Sequence, residues 1–204
     1  MGHTVRERKR TVPAKQAIRD AAALLFAEKG FAATSTREIC ARAEITKPVL
    51  YYYFGNKEQL YEELVLEASH EYQQELRRAT WRGRTPSERL INVLSAIFTF
   101  ARHEHSYWRM GFRMVLAPEK ESPVVNYVEI GHATERLLAE IVREGVRRRE
   151  IRGDPEFIAG AIFGKALASI ISYLVIGEPP LDRSLARRTI NLLINGCGVK
   201  PTDR

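Results

Sequence analysis

The chain has 204 residues, of which 45% are hydrophobic and 28% charged, a balance typical of a globular protein that buries its own core. Its two cysteines, Cys40 and Cys197, show no CxxC or Cys/His spacing, which excludes a disulfide framework and a structural zinc site. No apolar signal core stands at the N-terminus, so we expect a cytoplasmic protein.

The net charge of +7 is concentrated near the N-terminus. Residues 1–57 hold 11 Lys and Arg against 5 Asp and Glu, whereas residues 58–204 hold 21 against 20. A basic module joined to a nearly neutral remainder favours an anionic polymer or surface as partner. For the basic arm Arg6–Arg10, a disordered tail and a contact along the minor groove of DNA both stay open.

Helical spacing of apolar residues dominates the chain, and no useful stretch alternates as a strand would. Ser35 and Glu38 form a capping-box pattern at the start of the second predicted helix. The predicted helices cover about residues 13–30, 36–43, 46–55, 56–81, 86–103, 104–116, 123–149, 157–176 and 184–195. The sequence therefore predicts an all-α protein of about nine helices.

The first three helices have the proportions of a helix-turn-helix motif. At 100° per residue, Leu50, Tyr53 and Phe54 fall on the side of the third helix that can pack on the first two. The opposite, outward side consists of Lys47, Pro48, Tyr51 and Tyr52. An α-helix fits the major groove of DNA, where its N-terminal residues reach base edges, so we expect this side to contact DNA.

The residues around the third helix suit contacts with phosphate and bases. Thr36 offers a hydroxyl at the start of the second helix, and Lys57 offers a cation in the first turn of the fourth. Arg37 projects outward and can reach a guanine with two hydrogen bonds, although a solvated side chain is the alternative. Thr46, the predicted N-cap of the third helix, completes the expected DNA-binding set.

Residues 18–60 resemble the DNA-binding domain of the tetracycline-repressor (TetR) family of bacterial regulators. The residues that carry the resemblance are Ala22, Phe26, Gly30-Phe31, Thr34-Ser35, Ile39, Ala43, Ile45-Thr46, Leu50-Tyr51-Tyr52-Tyr53-Phe54 and Lys57-Glu58-Gln59-Leu60. The family usually has Gly where this chain has Glu44, and a Glu at positive φ costs about 1 kcal/mol. The resemblance implies a DNA-binding domain over residues 1–57 and an effector-binding and dimerisation domain over residues 58–204.

Residues 157–176 form an apolar run with one charge, Lys165. Its length alone permits a membrane span, but a central lysine costs roughly 2.5–3.5 kcal/mol, so we expect no membrane as partner. A helix that is apolar all round is instead expected to be buried on all sides, partly by a second subunit. The predicted interface residues are Gly160, Phe163, Gly164, Leu167, Ile171, Leu174 and Leu192. The resemblance likewise implies a homodimer, which would read an inverted-repeat operator in double-stranded DNA.

The segment from residue 98 to residue 127 is rich in aromatic side chains. Ordinary core packing explains them equally well, but the resemblance implies an effector pocket in this part of the chain. The predicted pocket residues are Phe98, Arg102, Trp108, Phe112 and Tyr127. The effector is an unknown small molecule.

Motifs for catalysis are absent from the sequence, which has no Gly-rich phosphate loop, nucleophile elbow or HExxH pattern. We therefore expect no enzymatic activity, no cofactor and no metal. The expected function is that of a homodimeric, sequence-specific transcriptional regulator of the bacterial cytoplasm, nucleoid-associated when bound to DNA, and a repressor released by its effector. The alternative is a helical small-molecule-binding or enzymatic protein whose basic head binds nucleic acid without sequence preference.

Overall fold

A computed structural model describes residues 13–116, 123 and 125–196 of the chain. Within these residues it contains nine α-helices and no strand, which confirms the predicted all-α fold. The helices are α1 (Ala14–Lys29), α2 (Thr36–Arg42), α3 (Lys47–Phe54), α4 (Lys57–Thr80), α5 (Pro86–His103), α6 (His105–Leu116), α7 (Tyr127–Arg147), α8 (Pro155–Ile176) and α9 (Arg183–Asn195). The predicted basic arm Arg6–Arg10 and Cys197 lie outside the described residues.

Local capping signals determine where the helices begin. Asp154 and Asp182 each accept a backbone hydrogen bond at 2.7 Å in the first turn of the helix that follows. The predicted start of α7 near Pro123 is wrong. This helix begins at Tyr127 because the Asn126 side chain accepts the Glu129 N–H at 3.0 Å and acts as its N-cap.

The described residues divide into two compact units, one of residues 13–64 with 123 and the other of residues 65–116 with 125–196. The division falls within α4, whereas the predicted domain boundary follows residue 57, at the start of the same helix. The assignment of DNA binding to residues 1–57, and of effector binding and dimerisation to residues 58–204, stays a prediction.

In the first unit, α1 packs against α2 and α3 around a buried apolar core. Its fully buried side chains include Ile18, Ile39 and Leu50. The Tyr61 ring lies edge-on to two phenylalanines, with its centroid 5.1 Å from that of Phe26 and 5.3 Å from that of Phe31. Edge-to-face contacts of this kind add to the burial of apolar area, so this aromatic cluster stabilises the end of α1 and the loop after it.

In the second unit, α5 packs against α6, α7, α8 and α9, and α7 also packs along α8. The shared core consists of side chains with no exposed surface, including Leu90, Leu94, Ile97, Phe98, Leu138, Val142, Ile162, Ala166, Ile170 and Ile190. Because α5 contributes side chains on several faces to this core, it is the central helix of the unit.

Candidate nucleic-acid interface and effector cavity

The start of α2 is held by the predicted capping box. The Ser35 hydroxyl accepts the Glu38 N–H at 3.3 Å, and the Ser35 N–H donates to Glu38 Oε2 at 2.9 Å. Lys29 forms an ion pair with the other carboxylate oxygen. The hydrogen bonds from Lys29 and Ser35 lower the pKa of Glu38 to about 2, so the carboxyl is ionised at neutral pH.

Lys57, a predicted phosphate contact, makes its contacts within the protein. Its Nζ donates to the carbonyl oxygens of Phe31 and Thr34, each at 3.0 Å, and lies 4.0 Å from the centroid of the Phe31 ring. An ammonium has three N–H donors, so one is left for a phosphate. Lys57 therefore stabilises the loop before α2, a role that the sequence reasoning missed, and its contact with DNA stays a prediction.

One side of α3 is exposed, as its sequence predicts. Leu50 and Phe54 are buried in the core of the first unit, whereas Tyr51 is 45% and Tyr52 82% exposed. Lys47 and Pro48 are exposed at the N-terminus of the same helix. The predicted DNA-contacting face is thus a solvent-facing surface of two tyrosines and a lysine.

The prediction that Tyr53 belongs to the core is wrong. Its side chain is 40% exposed, and its ring lies edge-on to that of Tyr52 with the centroids 5.1 Å apart. Tyr53 lies about 60° around the helix from Leu50, which places it at the margin of the stripe that α1 and α2 cover. We define the tyrosine face as Tyr51, Tyr52 and Tyr53 together.

The other predicted DNA-binding residues lie on α2 or at the start of α3. Arg37 is exposed and Thr36 half-buried. Thr46 is exposed and is the N-cap residue of α3, but its hydroxyl makes no capping hydrogen bond among the described residues. A hydroxyl without an internal partner at this position is suited to donate to a phosphate oxygen.

The turn between α2 and α3 is left-handed at Glu44, whose φ is +54°. The Ile45 N–H donates to the Cys40 carbonyl oxygen at 3.0 Å and closes the turn. This conformation favours glycine, so the exposed Glu44 adds about 1 kcal/mol of strain to the turn that orients α3.

The second unit contains a cavity of about 240 Å³ lined by side chains of α4, α6, α7 and α8. Its walls include Tyr72, Trp108, Phe112, Tyr127, Phe163 and Leu167. The Trp108 ring lies edge-on to Tyr72 at 5.9 Å and tilted against Phe112 at 5.6 Å. Concave sites with aromatic and aliphatic walls favour ligands that are largely apolar.

Besides His132 and Glu135 of α7, the polar groups in the cavity walls are neutral hydrogen-bonding groups. The Tyr72 hydroxyl is hydrogen-bonded to the Thr134 hydroxyl at 3.3 Å, and burial raises the pKa of Tyr72 above its usual value. The Tyr107 hydroxyl is 3.1 Å from Ser69 Oγ. Trp108 Nε1 is buried and has no hydrogen-bond partner among the described residues.

Three of the five predicted pocket residues line this cavity, namely Trp108, Phe112 and Tyr127. Phe98 and Arg102 do not, because Phe98 is fully buried in the core and Arg102 is exposed on the surface of α5. Beyond Tyr127, the sequence reasoning missed the rest of the α7 wall, where the lining residues Gly131 and Thr134 are small and give no aromatic signal.

Comparisons with known proteins agree with this geometry. Residues 18–64 match the family model described as "Bacterial regulatory proteins, tetR family". The transcriptional repressor KstR2 of Mycolicibacterium smegmatis is 30% identical over 143 residues, which are 65% of either chain, so the match spans 65% of that repressor's length. Residues 18–64 therefore form a DNA-binding domain of the TetR family of bacterial regulatory proteins.

Solved structures share the fold of this chain. A TetR-like regulator from Rhodococcus sp. RHA1 is 26% identical and has a TM-score of 0.71, covering 90% of this chain and 96% of its own. The regulator FadR of Bacillus subtilis, solved in complex with stearoyl-CoA, is 22% identical and has a TM-score of 0.70, covering 90% of this chain and 99% of its own. The chain thus shares the fold of these regulators over 90% of its length.

Within the single chain α8 is buried on one side and exposed on the other, and its burial by a second subunit stays a prediction. Phe157 is 78%, Ile171 41% and Val175 76% exposed, whereas Ile162 and Ile170 are buried on the opposite side. One stripe along the helix contains Phe157, Ile171 and Val175 together with Gly164 and Ala168, which are also exposed. We call Phe157, Gly164, Ala168, Ile171 and Val175 the α8 stripe.

Of the predicted interface residues, Gly164 and Ile171 belong to this stripe. Gly160 and Gly164 have open space where a Cβ would stand, and Leu192 of α9 is 54% exposed. Leu174 is half-buried. Phe163 and Leu167 line the cavity, and Phe163 is only 7% exposed, so neither belongs to an outward face. Phe163 precedes Gly164 of the stripe by one residue. One residue corresponds to about 100° around the helix, so the Phe163 side chain points away from the stripe.

Within the described residues, α8 is also the one helix that is long and apolar enough to cross a membrane by length and composition. Its most apolar window has a mean hydropathy of 1.8 and is one-third buried. A core helix of a soluble protein passes the same test, so this finding is a weak indication of a span.

Proposed function

We propose that this chain is a homodimeric repressor of the bacterial cytoplasm that binds an inverted-repeat operator and is released from it by a largely apolar effector. The observation that supports the DNA-binding part of this proposal is the exposed tyrosine face of α3. Three neighbouring tyrosines at the surface of an eight-residue helix are an unusual apolar exposure, and a partner that covers them explains it.

DNA recognition is assigned to residues of two kinds. Lys47, Pro48, Tyr51 and Tyr52 contact base edges in the major groove, and Arg37 reads a guanine. The hydroxyls of Thr36 and Thr46, with the third N–H of Lys57, contact phosphates. The short α3 reads a few base pairs, so specificity requires a second copy that reads the other half of the operator.

Dimerisation is assigned to the α8 stripe with Leu192 of α9. The stripe exposes one large apolar side chain at each end, Phe157 and Val175. The small residues Gly164 and Ala168 lie between them. Small residues allow the backbones of two helices to approach closely, while the flanking large side chains pack against the partner. A two-fold axis through this stripe would pair it with itself.

Effector binding is assigned to the aromatic cavity. Its apolar walls favour an apolar ligand, and FadR of Bacillus subtilis, which shares the fold, was solved with stearoyl-CoA. Acyl-coenzyme A thioesters are therefore the first class of effector to test. Tyr72 lines the cavity from α4, the helix whose first residue is Lys57, so a ligand-induced displacement of α4 is the proposed route from effector to DNA.

Binding of operator DNA by variants tests the DNA-binding half. Tyr51→Ala and Lys47→Ala should each abolish specific binding, measured by fluorescence anisotropy, and leave the dimer intact in sedimentation. Arg102→Ala, which removes an exposed cation from the second unit, is the control and should bind as the wild type does. Wild-type affinity in Tyr51→Ala would contradict the assignment of the tyrosine face.

Thermal unfolding with acyl-coenzyme A thioesters of increasing chain length tests the effector half, with free coenzyme A as the ligand control. An added Cβ at Gly131 would lie 3.4 Å from Phe163 Cε1, so Gly131→Val fills the cavity. We expect the thioesters to raise the melting temperature of the wild type and of Ala133→Val, a change on the same helix outside the cavity lining, but not of Gly131→Val. Equal shifts in all three proteins would place the ligand elsewhere.

A further inference from the structure

The turn between α4 and α5 exposes a tryptophan among arginines. Trp81 is 87% exposed, the largest value among the exposed apolar side chains of the described residues. Residues 77–84 contain four arginines and no acidic residue. Of these arginines, only Arg78 forms a salt bridge with another described residue, Glu75. The proposed DNA-binding, effector and dimer sites use none of these residues.

The turn between α7 and α8 lies at the same end of the second unit. Glu144, in the last turn of α7, forms salt bridges with Arg89 in the first turn of α5 and with Arg148, at 2.7 Å for the latter. An added Cβ at Gly83 would lie 2.8 Å from the Arg89 side chain, so the α4–α5 turn packs on the same arginine. We call residues 77–84 and 147–152 together the basic end.

The basic end carries a strong local charge. It contains eight arginines and one acidic residue, Glu150, and two of the arginines, Arg78 and Arg148, form salt bridges with acidic residues outside it. Residues 58–204 hold 21 basic and 20 acidic residues in all, so the other residues of that range hold 13 basic against 19 acidic. The near-neutral total therefore conceals a positive end on an otherwise acidic part of the chain, and such an end attracts an anionic partner.

We propose that the basic end docks onto an anionic phospholipid surface, with Trp81 in the head-group layer. An indole has an apolar body and a polar N–H and is enriched at membrane interfaces, and arginines beside it are attracted to anionic head groups. This contact lies on the membrane surface and spans nothing. It revises the expectation from sequence that no membrane is a partner.

Nucleic acid is the less suitable partner for this surface. A base-paired duplex offers an exposed indole no base to stack on, and proteins that bind single strands use a groove with several aromatic side chains. Trp81 is the one aromatic residue in the basic end. Binding to a lipid surface requires neither a groove in the protein nor several aromatic side chains.

Fluorescence of the full chain with lipid vesicles tests the proposal, because the chain has two tryptophans and Trp108 is buried. The probes are phosphatidylcholine vesicles, vesicles that also contain about 30 mol% phosphatidylglycerol, and a short duplex of random sequence. We expect the anionic vesicles to shift the Trp81 emission to shorter wavelength and to co-sediment with the protein, and the neutral vesicles to do neither. Trp81→Phe should lose the wavelength shift.

Two variants with the same change of charge separate a local contact from general attraction. Arg82→Gln, in the basic end, should weaken vesicle binding about fivefold. Arg102→Gln, an exposed arginine at the other end of α5, should change it less than twofold. Equal weakening by the two variants would overturn the proposal, and so would vesicle binding without a shift in Trp81 emission. A shift with the duplex but not with vesicles would identify nucleic acid as the partner instead.

Discussion

The Lys57 ammonium nitrogen lies 3.0 Å from the carbonyl oxygen of Phe31 and 4.0 Å from the centroid of the Phe31 ring. One side chain of α4 thereby fixes the backbone and the ring of a residue in the loop between α1 and α2. This loop precedes the capped start of α2, so Lys57 helps to position the helix-turn-helix through contacts inside the protein.

Lys57→Met should weaken operator binding by loosening this loop. Amide hydrogen exchange at residues 31–34 should rise, because two carbonyl oxygens lose their donor. Because the third N–H of Lys57 is assigned to a phosphate, the slope of log affinity against log salt concentration should also fall by about 0.9. Lys47→Met is the comparison, since Lys47 is assigned to base edges and its loss should leave hydrogen exchange in the loop unchanged. A slope lowered by Lys57→Met, with unchanged exchange in the loop, would make Lys57 a phosphate contact only.

Glu44→Gly should raise the free energy of unfolding of the first unit by about 1 kcal/mol, because glycine adopts positive φ without strain. Urea unfolding followed by hydrogen exchange in α1–α3 measures the change. Ala41→Gly, an exposed position within α2, is the matched control and should lower stability by roughly 0.5–1 kcal/mol. A destabilising Glu44→Gly would mean that the Glu44 side chain makes a contact worth more than the strain.

Glu38 should make stability depend on pH in the acid range. Its pKa is lowered from 4.5 to about 2, so its contribution is fully present above about pH 4.5 and is lost as the pH falls towards 2. Glu38→Gln should therefore destabilise the protein at about pH 7 and have less effect at about pH 3. Thermal unfolding of wild type and variant at both pH values measures this. The same pattern in Glu62→Gln, an exposed position on α4, would show that the effect is not specific to Glu38.

Val175→Arg should dissociate the proposed dimer, because it places a charge within the α8 stripe. Sedimentation velocity at micromolar concentration should then show a monomer. Leu66→Arg, which alters a side chain of α4 that is 65% exposed, is the control and should remain dimeric. Phe163→Arg is unsuitable for this purpose because Phe163 lines the cavity and its replacement would disturb the interior. A dimeric Val175→Arg protein would place the interface on another surface.

The sequence predicted best what depends on local pattern. The capping box of Ser35 and Glu38, the exposed face of α3 and the bounds of most helices follow from residues within one or two turns of each other. The internal contacts of Lys57 were not predictable in this way, since they join residues more than 20 positions apart.

The cavity was predicted only in part and the basic end was missed, for different reasons. Aromatic content located α6 but could not show that Phe163 of α8 and small residues of α7 complete the walls. Over residues 58–204 the basic and acidic residues nearly balance, so these totals give no sign of a local positive charge. The basic end is formed by two turns that are distant in the sequence, and it was recognised only from the structure, in which Arg89 and Glu144 form a salt bridge.

The most direct test of the central claim is in-vitro selection of the full chain on random duplex DNA at physiological salt. The protein is used both as purified and after unfolding, refolding and dialysis, which removes any effector retained from the host. We predict enrichment of one inverted repeat, bound at least about 10³-fold more tightly than random DNA. Sequence-blind, salt-sensitive binding in both preparations would contradict the assignment of a specific regulator.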